Sequence, residues 1–116
     1  MKFYYILIII ALFLLLTGCK IEKYGSDITV NKVTPISQAL AEKDSLDTIT
    51  LKGEIGAVCP TGCWFYLQDQ SGEIYVDLAP SGLAIPQRSG KKAVVEGSFI
   101  KVKDRSVFVA KGVEIQ

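Results

Sequence analysis

From Asp47 to Ile115 the chain repeats one device: short runs in which apolar and polar residues alternate, broken by turns that contain glycine. A period of two is the spacing of a strand with one face against a core. Trp64–Asp69 (WFYLQD) and Glu73–Leu78 (EIYVDL) are separated only by Gln70-Ser71-Gly72, which reads as a hairpin. This pattern constrains the fold more than any other feature of the chain. It asks for a small β structure whose strands return on one another.

Three further strands fit the same reading. Thr48–Val58 (TITLKGEIGAV) directs Ile49, Leu51, Ile55 and Ala57 to one side and Thr50, Lys52 and Glu54 to the other. Gly53 and Gly56 interrupt it, as glycines do where a barrel strand bends or bulges. Lys91–Val102 is a fourth strand, kinked near Gly97, and Ser106–Ile115 a fifth after a turn at Lys103-Asp104-Arg105. The proline-bounded stretch 80–86 admits a single helical turn between the third and fourth. Ahead of all five, Val33–Ala41 predicts a short helix, with Pro35 in its first turn and Thr34 as its cap. Ile36, Ala39 and Leu40 form its apolar stripe, and Glu42-Lys43-Asp44-Ser45 ends it.

Five strands with a helical piece between the third and fourth is the layout of an OB-fold barrel. Leu51-Lys52-Gly53-Glu54-Ile55, Trp64-Phe65-Tyr66-Leu67-Gln68-Asp69, Ser71-Gly72-Glu73-Ile74-Tyr75-Val76 and Ala93-Val94-Val95-Glu96-Gly97 resemble the motifs of OB-fold domains related to the tRNA anticodon-binding type. The likeness spans residues 48–115. The Cys59-x-x-x-Cys63-Trp64 insert is similar to that of small extracytoplasmic OB-like proteins. The expected class is therefore all-β, a five-stranded OB-fold barrel with a short N-terminal helix and a helical turn between strands three and four. OB folds bind nucleic acids, sugars or proteins, or act as scaffolds, so the resemblance implies a fold and no single activity.

The N-terminus is a targeting signal. Lys2 precedes the unbroken apolar run Phe3–Leu16, which is shorter than the roughly 20 residues of a spanning helix. Leu16-Thr17-Gly18-Cys19 resembles the lipobox of bacterial and some archaeal lipoproteins, and the resemblance implies cleavage before Cys19 and diacylglycerol on its sulfur. Each methylene so buried contributes about 0.8 kcal/mol to anchoring. The expected organisation is a signal peptide at 1–18, a flexible tether at 19–31 and the barrel at 32–116. It places the protein on the cell membrane or envelope, lipid-anchored and facing outside the cytoplasm.

Charge and composition narrow the chemistry. Without Lys2, the 13 Lys and Arg residues fall level with the 12 Asp and Glu. A nucleic-acid binder of this size is normally basic, because phosphate contacts supply much of its affinity, so nucleic acid is disfavoured as a partner. The chain has no histidine, which removes imidazole bases, the usual serine and cysteine triads and histidine-containing zinc sites. Asp69 and Asp77 have no identifiable catalytic partner, and Ser71 and Ser81 lie in turns. No enzyme and no cofactor is expected. The partners expected are the membrane, through lipid on Cys19, and a small polar ligand or another envelope protein.

Two sites stand out. Cys59 and Cys63 flank Pro60-Thr61-Gly62, a three-residue hairpin loop suited to a type I turn followed by a left-handed glycine. Opposed strand residues lie about 4.5–5.5 Å apart, within disulfide range, and an extracytoplasmic disulfide persists. The same two sulfurs leave open a thiol-redox role or a soft-metal site such as Cu(I), although neither a helix N-terminus nor a histidine supports those readings. The second site is a face. With Phe65, Leu67, Ile74, Val76 and Leu78 inside the barrel, Trp64, Tyr66, Gln68, Glu73, Tyr75 and Asp77 stand outside on strands two and three, where OB folds hold ligands. Rings there stack on bases, sugar faces or organic cations, while Glu73 and Asp77 repel phosphate. A bulge near Cys63 would instead reverse the faces and bury Trp64. Lys91, Lys92, Lys101, Lys103 and Arg105 suggest a basic patch at the other hairpin, or a solvated edge that prevents sheet aggregation.

Overall fold

The computed structural model describes residues 2–15, 20–45 and 47–116. Lys2–Leu15 is a helix, α1, whose apolar side chains from Phe3 to Phe13 are exposed. Among the described residues no helix is long and apolar enough to cross a membrane. Cys19 and the residues before it from 16 lie outside the described set.

Strand β1 (Glu22–Gly25) is followed by helix α2 (Ile36–Ala41), then by β2 (Ile49–Val58), β3 (Trp64–Asp69), β4 (Gly72–Asp77), a 3-10 turn at Ala79–Ser81, β5 (Lys92–Val102) and β6 (Arg105–Ile115). The strands run β6–β4–β3–β2–β5, and β5 pairs with β6 to close a five-stranded barrel, with β1 added at the outer edge of β6. All pairings are antiparallel except β4–β6. This is the OB-fold architecture the alternation predicts.

The barrel is strongly sheared. Lys92 pairs with Glu54, Glu54 with Gln68 and Gln68 with Glu73. Glu73 lies three positions before Val76, which pairs with Phe108, so it is level with Arg105, whose partner is Val102. One circuit thus returns to β5 ten residues further along. Such a shear tilts the strands steeply and opens a five-stranded barrel just enough for side chains to fill it. The filling is Leu51, Ile55, Phe65, Leu67, Ile74, Val76, Val95, Phe99, Phe108 and Val113, with Phe99 and Phe108 packed edge to face at 5.3 Å. Gly53 and Gly97 fall where the neighbouring strand backbone comes too close for a side chain. A Cβ at either would overlap a carbonyl oxygen of the adjacent strand, Gln68 or Val109.

Four expectations change. The segment expected as a tether is built onto the barrel: Glu22–Gly25 pairs with Gly112–Ile115, and Tyr24 packs against the core. Beyond it, the Ser26 N–H donates to the Lys111 carbonyl (2.9 Å), and the Thr29 N–H and hydroxyl both donate to buried Glu96 (2.6 and 3.0 Å). The Thr50 hydroxyl donates to the Val30 carbonyl at 2.7 Å. Second, Thr34 does not cap α2. Its N–H donates to Thr50, Pro35 occupies the N-cap position, and the helix N–H groups of Ile36 and Ser37 donate to the Asp69 carboxylate and the Ser71 hydroxyl, each at 3.0 Å. Third, a bulge between Ile55 and Val58 shifts the phase of β2, so Ala57 turns outward and Val58 turns in against the core. Fourth, the basic residues do not form one patch: Lys91 and Lys92 lie at the start of β5, whereas Lys101 at its far end, Lys103 in the turn and Arg105 at the start of β6 lie about 30 Å away along an extended strand.

Candidate functional site

The hairpin between β2 and β3 closes as its residues dictate. The Gly62 N–H donates to the Cys59 carbonyl (2.7 Å), and the Cys59 N–H to the Trp64 carbonyl (2.9 Å). Gly62 takes φ +77°, the left-handed conformation that favours glycine. The two Cα atoms are 5.6 Å apart and the sulfurs are joined as a disulfide. The tip is also packed against the loop after β4. The Ile85 N–H donates to the Gly62 carbonyl (3.1 Å), and the Gln87 side-chain amide to the Cys59 carbonyl (2.8 Å). A Cβ on Gly62 would overlap the Ile85 carbonyl oxygen. Cys59 is buried, and its sulfur lies 3.3 Å from the Thr61 hydroxyl.

Trp64 begins β3 directly after this staple. The bulge lies in β2, not at Cys63, so β3 keeps the predicted phase. Phe65 and Leu67 point inward with Ile74, Val76 and Leu78, and all five are buried. On the outer face, Trp64 pairs with Asp77, Tyr66 with Tyr75, and Gln68 with Glu73. Trp64 and Tyr66 are half-buried and Tyr75 is 37% exposed. The three rings form a closed triangle: Trp64–Tyr66 5.7 Å, Trp64–Tyr75 5.7 Å and Tyr66–Tyr75 5.6 Å between centroids. At this spacing the rings touch one another. They make a continuous platform rather than a cage with room between its walls. The structure brings together all six residues expected on this face.

Charge around the platform is mixed. Burial, the nearby Asp77 carboxylate and Tyr66 push the Tyr75 hydroxyl above its ordinary range, while Arg105 pulls the other way. Asp77 accepts a hydrogen bond from the Ala79 N–H (3.3 Å), which fixes the start of the 3-10 turn. Glu73 is exposed.

Asp69, for which the sequence offers no catalytic partner, is a structural hub. It accepts from the Ser71 N–H and hydroxyl (2.7 and 2.6 Å), the Gly72 N–H (3.1 Å) and the Ile36 N–H of α2. Burial raises its carboxyl, but these donors outweigh burial and hold it below the ordinary aspartate value.

One feature has no counterpart in the pattern of the sequence. Strands β4 and β6 pair only at Val76–Phe108 and Asp77–Val109 and then separate. The gap is a cleft of about 720 Å³, floored by Ile74, Phe99 and Phe108, flanked by Leu40 of α2, and rimmed by Tyr75 and Arg105. Tyr75 therefore belongs to both the platform and the cleft. The β4–β6 contact joins segments some thirty residues apart, and no local period announces where it stops.

Among the described residues no group of three or more Cys, Asp and Glu side chains converges as metal ligands do. Cys59 and Cys63 are bonded to each other.

Among solved structures, the chain is similar to the hypothetical protein ygiW from E. coli, with a TM-score of 0.56 and 18% identity over 74% of this chain and 91% of that one. The likeness is one of fold. No family model matches the chain, and no curated protein matches it.

Proposed function

We propose that the protein is a non-enzymatic, lipid-anchored binding module of the cell envelope, which holds a small polar ligand, or a polar side chain of another envelope protein, on the outer face of β3 and β4. The observation that carries this reading is the Trp64–Tyr66–Tyr75 platform, three partly exposed rings in mutual contact on the face OB folds use for ligands. On the outer face Trp64 and Tyr75 lie 34° from coplanar while Tyr66 meets both edge to face, at 79° and 72°, so the cluster offers a partner apolar ring faces bounded by a ring edge. Glu73 and Asp77 flank the platform and Arg105 stands at its cleft side, so the face suits a neutral or cationic ligand over a phosphate. The Cys59–Cys63 disulfide supports this role by fixing the strand end from which Trp64 projects. Export and anchoring rest on the apolar leader and the Leu16-Thr17-Gly18-Cys19 motif.

Trp64 is the only tryptophan in the chain, so its emission reports on the platform directly. Titration with choline and with a methyl glucoside is expected to shift that emission, Tyr66→Ala and Tyr75→Ala are expected to weaken each response at least several-fold, and thymidine monophosphate is expected to give none. A nucleotide bound more tightly than either neutral or cationic probe would replace this reading with a nucleic-acid one.

A further inference from the structure

The proposed lipid on Cys19 and the docking of β1 have a joint consequence. A flexible tether over residues 19–31 would let an anchored domain swing freely, but the chain is already part of the sheet at Glu22. Only Lys20 and Ile21 separate Cys19 from β1. Three residue steps reach about 10 Å at full extension. That maximum is comparable to the Debye length of about 8 Å at physiological salt, so charges beside the exit of β1 are only partly screened from the lipid surface, and less so when the segment is not fully extended.

Those charges are predominantly positive. Lys20 and Lys23 lie on the exiting segment. Lys23 is level with Glu114, Glu114 with Val94 and Val94 with Lys52 across neighbouring strands, all on the outer side. Lys91 and Lys92 stand at the start of β5, next to the C-terminal residue, whose N–H donates to the Lys92 carbonyl (2.9 Å). All five lysines are exposed. The carboxylates among them are Glu22, Glu54, Glu114 and the main-chain carboxylate of Gln116 beside Lys92. Glu22 is neutralised locally by Arg88 at 2.9 Å, whose hydrogen bond, with that of Tyr24, holds its carboxyl below the ordinary range. Glu54 is level with Lys92 in the strand ladder, and Glu114 lies 4.0 Å from Lys23. Among the described residues Lys20, Lys52, Lys91 and Lys92 make no ion pair. The exit itself is held firmly, since the Glu22–Arg88 pair ties β1 to the loop before β5 in addition to its ladder with β6.

We propose that the mature protein lies flat against an anionic lipid surface on this lysine-bearing side, in one orientation, with the β5–β6 turn at Lys103 directed away. This rests on the lipid-anchor reading. The partner is the membrane itself, recognised by headgroup charge and by the short reach of the anchor.

The test uses the full lipidated protein reconstituted in phosphatidylcholine vesicles with and without phosphatidylglycerol, carrying a fluorophore at Gln116→Cys or at Lys103→Cys and a nitroxide on the lipid headgroup. Expected is quenching at position 116 several-fold stronger than at 103, greater with phosphatidylglycerol, and reduced toward equality by Lys23→Gln, Lys91→Gln and Lys92→Gln together. Equal quenching at the two positions, or indifference to lipid charge, overturns the orientation. The anchor reading is tested separately by the mass of the N-terminal peptide of the membrane-bound protein. A peptide that begins elsewhere than Cys19, or a Cys19 without lipid, removes the premise and the orientation with it.

Discussion

The two long hairpins of the barrel end in opposite ways. The β2–β3 tip is a short loop closed by a disulfide, with a buried left-handed glycine and two hydrogen bonds to the loop at Ile85–Gln87. The β5–β6 tip is a tight turn with exposed side chains. Lys103 takes φ +58°, Ile100 and Val102 are 37% and 49% exposed, and the one ion pair nearby, Lys101 with Asp44 at 3.6 Å, lies in solvent. The difference follows what each tip supports. The first sets the position of Trp64 and, through it, the aromatic platform; the second borders the cleft through Asp104 and Arg105 and has no covalent staple.

The largest break in this contrast is expected from Gly62→Ala. A left-handed non-glycine residue costs roughly 1–2 kcal/mol, and the overlap with the Ile85 carbonyl adds to it, for a loss of about 3 kcal/mol measured by urea denaturation. Replacing Cys59 and Cys63 together with serine should cost about 2 kcal/mol on the chain-entropy model, with the Trp64 emission broadened as its strand end loosens. A loss near zero for both would mean that the tip is no more constrained than the β5–β6 turn.

Asp69 sharpens the comparison at the other end of β3, where hydrogen bonds take the place of the covalent staple. Asp69→Ala should cost about 2 kcal/mol, because it strips the turn and leaves the first N–H of α2 without an acceptor. The native carboxyl is held below the value it has when unfolded. Its contribution is therefore present above the unfolded-state value and lost as pH falls through the folded one, with the unfolded chain binding the extra proton. Wild-type stability should drop as pH falls below about 4, the ordinary aspartate value, and Asp69→Asn should drop less over that window.

The smallest effect is expected at Lys103→Gly. Relief of the left-handed lysine should stabilise the protein by at most about 1 kcal/mol, partly offset by the chain entropy of glycine. The Trp64 spectrum should not move. A destabilised Lys103→Gly would show that the tip has contacts of its own to lose.

The comparison also explains what could be read in advance. Strands β3 and β4 alternate without interruption, so both of their faces follow from the residues themselves, and the platform with them, although β4 runs Gly72–Asp77, one residue earlier than the expected Glu73–Leu78. The turn Pro60-Thr61-Gly62 is local chemistry and reads equally well. By contrast, Glu22-Lys23-Tyr24-Gly25 has no apolar alternation, and it becomes a strand only because β6 offers it an edge. The trans cap on α2 joins Ile36 to Asp69, 33 residues away, whereas a local rule selects Thr34. Ala57 and Val58 exchange sides because a bulge changes phase without changing composition. Each departure comes from contact between distant segments, which a reading of local period does not contain.

The central claim is that the rigid side of this barrel binds and the free side does not. The most direct measurement is a two-dimensional ¹H–¹⁵N spectrum of residues 20–116 titrated with choline, following the Trp64 indole Nε1–H together with the backbone of Tyr66, Tyr75 and Lys103. The account predicts saturable shifts at Trp64, Tyr66 and Tyr75 with Lys103 unmoved. Shifts confined to the β5–β6 turn, or a Trp64 indole that stays in place while other resonances saturate, would contradict it.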